Sequence, residues 1–71
     1  MVKNETELEM VQRHIRQAAA RITRQRELIA ELRINGIPTA LAETVLATLC
    51  EVQIEHEAHL KHLIAIPASK P

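Results

Sequence analysis

Residues 8–32 read LEMVQRHIRQAAARITRQRELIAEL, and within them Leu8, Val11, Ile15, Ala18, Ile22, Gln25, Ile29 and Leu32 follow one another at alternating steps of three and four. That is the heptad spacing of a helix with a seam along one side: Leu8, Ile15, Ile22 and Ile29 take position a, and Val11, Ala18, Gln25 and Leu32 take position d. A single helix cannot bury such a seam. The rest of the sequence is therefore read for what covers it.

The seam has clear ends. Asn4 or Thr6 can cap the helix, Thr6 with Glu9 three residues on matches a capping box, and Glu5, Glu7 and Glu9 place negative charge where the helix dipole favours it. Neither Gly nor Pro interrupts the chain until Asn35-Gly36, where Gly can take the left-handed conformation that closes a helix and Ile37 can fold back on the last turn. Pro38 prevents continuation, Thr39 reads as a second N-cap, and an unbroken pattern runs from Ala40 to Ile66, where Pro67 is expected to end it. Met1 to Asn4 are expected to fray and residues 67–71 to form a disordered tail, leaving a single domain over residues 1–66.

In the second helix Leu41, Ala42, Val45, Leu49, Val52, His56, Leu60 and Leu63 are read as one face, with Leu46 and Ile64 on its shoulder. A connection this short makes the helices antiparallel. Counting outward from the turn pairs Leu32 with Leu41, Ile29 with Val45, Gln25 with Leu49, Ile22 with Val52 and Ala18 with His56. The expected fold is all-α: an antiparallel helical hairpin, helices about 5–34 and 39–66, dimerising into a four-helix bundle.

Composition points the same way. The chain has 71 residues and no Phe, Tyr or Trp, so the side chains that bury most area are missing and a monomeric core is thin. Formal net charge is zero, with +2 on residues 1–35 and −2 on residues 36–71, which suits a chain folding onto itself or a copy. Cys50 is the single cysteine and cannot form an internal disulfide. The first residues lack the apolar run of a signal peptide, and no window approaches the ~20 apolar residues of a membrane span. A cytoplasmic protein without membrane contact is expected.

Three groups of side chains bear on function. His56, His59 and His62 are spaced by threes, Glu55 precedes His59 by one turn, and His14 is expected across the hairpin near His59. Imidazoles and a carboxylate in this arrangement can ligate Zn²⁺, which makes Glu55, His56 and His59 the metal candidates. Steps of three rotate each histidine away from the last, however, so the competing reading makes His56 a hydrogen-bonded core residue and leaves His59 and His62 on the surface. Gln25 interrupts the seam with a buried amide that needs partners, a device for fixing alignment. Arg13, Arg16, Arg21, Arg24 and Arg26 fall in a stretch without acidic residues. Arg13, Arg16 and Arg24 share the outer face and are the candidates for contacting nucleic acid, although no aromatic is present to stack on a base. The competing reading is a solvated face, with Glu9–Arg13 as a pair along the helix and the flanking arginines meeting Glu43, Glu51 or Glu55. No nucleophile stands with a base and no Gly-rich loop can hold a phosphate, so neither an enzyme nor a cofactor is expected.

In size and outline the hairpin resembles Rop, the plasmid RNA-binding bundle. The run Arg24-Gln-Arg-Glu-Leu-Ile29, then Leu32 and Gly36, then Thr39, Ala42-Glu43, Leu46 and Leu49 resembles a group of small bacterial proteins of similar length without an established activity. That resemblance implies the hairpin and no chemistry. The leading expectation is a non-enzymatic, homodimeric scaffold or adaptor acting through protein contacts, with an RNA- or DNA-binding regulator and a histidine-based metal-binding bundle as the alternatives.

Overall fold

The computed structural model describes the backbone of residues 5–69 and the side chains of residues 5–65; over these the chain is a helical hairpin, α1 (Glu7–Ile34) and α2 (Ala40–Ser69), without a strand. The stretch expected to fray, Met1 to Asn4, lies outside the described residues. So do Lys70 and Pro71.

α1 begins at Thr6, whose hydroxyl accepts from the Glu9 N–H at 3.0 Å while the Glu9 carboxylate accepts from the Thr6 N–H at 3.0 Å. Two of the donors that a helix start leaves unpaired are thereby satisfied. At the other end the Gly36 N–H donates to the Arg33 carbonyl at 3.1 Å and the Ile37 N–H to the Leu32 carbonyl at 2.8 Å, with Gly36 at φ +70°. This is the Schellman closure that Asn35-Gly36-Ile37 led us to expect. Thr39 stands at the expected N-cap position, its carbonyl accepting from the Glu43 N–H at 2.8 Å, but its hydroxyl donates to the Glu43 carboxylate instead of capping a backbone N–H. α2 runs through Pro67 to Ser69 instead of stopping at Ile66. Proline removes one rung, but its fixed φ is itself helical, so the backbone can carry on for the last residues.

The register differs from the expected pairing. Gln25 reaches the Ala42 carbonyl where Leu49 was expected, and the His56 ring pairs with His14 in a recess that Ala18 also lines. The cause is the connection. Ile37, Pro38 and Thr39 are not helical, and an extended residue advances about 3.3 Å against 1.5 Å for a helical one. Pro38 stands beside Leu28 and Leu32 of α1, and α2 starts already level with an earlier turn.

The face of α2 is also rotated. Ala42, Leu46, Leu49, Gln53, His56, Leu60 and Leu63, at alternating steps of four and three, are partly covered, with Cys50 and His59 beside them, whereas Val45 and Val52 are 42% and 39% exposed and Leu41 is 79% exposed. Those three were expected in the core. Leu46, expected on the shoulder, lies inside. α2 is apolar on several sides, so periodicity alone does not choose between these faces.

Two helices side by side make one layer, and a buried core takes two. The radius of gyration is 16.6 Å, against about 11 Å for a compact chain of this length. Among the described residues only Val11, Ala18 and Ile29 are buried. Even the seam position Leu8 is more than a third exposed.

Candidate functional site

Two grooves run between the helices, one on each flank of the seam. On the first, α1 contributes His14, Gln17, Ala18, Arg21, Gln25, Leu28 and Leu32, and α2 contributes Leu41, Ala42, Val45, Leu49, Val52 and His56, with Pro38 closing the turn end. Helical spacing makes these residues continuous stripes. The only formally charged side chain among them is Arg21. The opposite groove is lined by Arg26, Ile29, Ala30 and Arg33 from α1 and Glu43, Leu46, Ala47 and Cys50 from α2. An ion pair spans it, Arg33 Nη2 to Glu43 Oε2 at 3.0 Å. The Thr39 hydroxyl, followed by Arg33, lowers the Glu43 pKa below its ordinary value.

Two glutamines cross the seam. Gln25 Nε2 donates to the Ala42 carbonyl at 2.9 Å, giving the half-buried amide the partner it requires. Gln53 Nε2 donates to the Ile15 carbonyl, also at 2.9 Å. Sequence reasoning missed Gln53. The signal was there, since it completes the heptad spacing of Ala42, Leu46, Leu49, His56, Leu60 and Leu63.

The histidines separate into two groups. His14 and His56 stand with ring centroids 5.4 Å apart across the hairpin, tilted by 41°. His56 Nδ1 lies 3.3 Å from Gln53 Oε1. His59, expected beside His14, instead places Nε2 at 2.9 Å from Glu7 Oε2. Glu55 is exposed. Among the described residues no three of His, Cys, Asp and Glu come together to hold a metal ion, so Glu55, His56 and His59 are not assembled as a ligand set.

Of the three arginines expected to contact nucleic acid, Arg13 is engaged. Its Nε and Nη2 donate at 3.0 Å to the two carboxylate oxygens of Glu5, not to Glu9, and this fork lowers the Glu5 pKa and raises that of Arg13. Arg16 and Arg24 are exposed. Cys50 is free and half-buried on the edge of the second groove. Among the described residues no helix is long and apolar enough to cross a membrane.

This arrangement offers apolar surface, hydrogen-bonded alignment and a pair of imidazoles. No family model, no curated protein and no solved structure matches the chain.

Proposed function

We propose that the protein is a non-enzymatic, self-associating scaffold or adaptor of the cytoplasm, in which two hairpins pack into a four-helix bundle whose outer faces dock a protein partner. The observation that carries this reading is the poor coverage of the seam: Val11, Ala18 and Ile29 are buried, while Leu28, Leu41, Val45 and Val52 stay open along one groove. Burial of apolar area is the main favourable term in folding, and a second layer supplies it. The nucleic-acid reading is less well supported, because a carboxylate occupies Arg13.

Sedimentation equilibrium of the full chain at micromolar concentration tests the reading. A folded dimer is expected. A fully helical monomer overturns it.

A further inference from the structure

We infer that the second copy packs on the groove carrying Leu28, Val45 and Val52, with the His14–His56 recess inside the contact; this rests on the self-association proposed above. The occupant follows from what the fold requires. Because so little apolar surface is covered within one chain, whatever covers this groove has to be present whenever the chain is folded. A second copy always is, and folding and assembly are then one equilibrium. Zero formal net charge lets copies meet without mutual repulsion.

The two flanks differ in what they ask of a partner. The Arg33–Glu43 pair spans the opposite groove and would have to be desolvated on contact. The first groove has four large open aliphatic side chains, Leu28, Leu41, Val45 and Val52, and no carboxylate in its lining.

The histidines are set for a dry contact. Gln53 spends its Nε2 on the Ile15 carbonyl, which only accepts, so its Oε1 is the atom turned toward His56 Nδ1. Nδ1 therefore carries the proton of the neutral ring, and Nε2 holds the lone pair. Protonating Nε2 would place a cation near His14 and Arg21 of α1, in a recess whose lining contributes no carboxylate from either helix. Of the carboxylates at this end of α1, Glu7 is taken by His59, and Glu5, whose charge reaches His14, is forked by Arg13. With the partner in place, water no longer screens a charge on this ring, so acid is expected to weaken the contact.

Two measurements on the full chain test this. In an equal mixture of isotope-labelled and unlabelled protein at pH 7.5, intermolecular NOEs are expected to the methyls of Leu28, Val45 and Val52; NOEs confined to Leu46 and Ala47 would overturn the choice of groove. In sedimentation equilibrium the dimer dissociation constant is expected to rise at least tenfold from pH 7.5 to 5.5, and the His14→Gln/His56→Gln variant to lose most of that dependence. Equal affinity at both pH values, or a variant that keeps the full dependence, would remove the recess from the contact while leaving self-association intact. A monomer at both pH values would instead overturn the self-association itself. Val45→Glu should weaken the dimer at least tenfold and Ile54→Glu, on the outer side of α2, should not; the reverse order would also overturn the proposal.

Discussion

Gln25 and Gln53 brace the hairpin in opposite senses, each donating at 2.9 Å from its own helix to a backbone carbonyl of the other, Ala42 and Ile15 respectively. A helix carbonyl has two lone pairs and its own ladder uses one, so each amide takes the second without breaking a rung. The braces also tie the two helices together at two points along the seam.

Gln25→Ala and Gln53→Ala should each destabilise by about 1 kcal/mol, the usual net worth of one such bond. The braces are eleven residues apart on α2, between Ala42 and Gln53, or roughly 16 Å. The two penalties should therefore add. Urea denaturation of both single variants and the double, at one protein concentration, checks this. A double variant no weaker than either single would show that the amides act as one unit.

Gly36 sits at φ +70°, and a Cβ built there meets nothing within 4 Å. Gly36→Ala should therefore cost only the conformational penalty of the left-handed region, about 1 kcal/mol. Gly36→Asn should cost less, since Asn tolerates that region. Urea midpoints of the three proteins decide the order, and Asn proving worse than Ala would point to a contact at this corner.

Glu43 is held below its ordinary carboxyl pKa of 4.5, first by the Thr39 hydroxyl and then by Arg33. A lowered folded pKa means that the unfolded chain binds the proton more readily, so the stabilisation is present above the unfolded value and is lost as pH falls through the folded one. Glu43→Gln should accordingly be less stable than wild type at pH 7 and should converge with it in acid. Thr39→Val should shrink the difference at pH 7. Denaturation curves at both pH values test the sign, and a gap that widens in acid would contradict it.

Much of the helix architecture was legible because it is written in short-range chemistry. Thr6 with Glu9, and Asn35-Gly36-Ile37, act within a turn of themselves, so the start and stop of α1 follow from neighbouring residues. The site was legible only in part. Gln25 stood out as a polar break in an aliphatic seam. Gln53 was hidden because α2 offers more than one apolar stripe, and Leu41, Val45 and Val52 fall on a stripe beside the one that faces α1.

Local sequence thus determined two helices, their caps and an antiparallel return, since each depends on torsion preferences and hydrogen bonds within a few residues. Tertiary structure decided which residues meet. The non-helical step of Ile37, Pro38 and Thr39 moved α2 along α1, and the reach of two amides to the carbonyls of Ala42 and Ile15 accompanied a rotation that brought His56 to His14 and left Val45 and Val52 open. Those outcomes depend on distances between segments far apart in the chain, which no periodicity within one segment encodes.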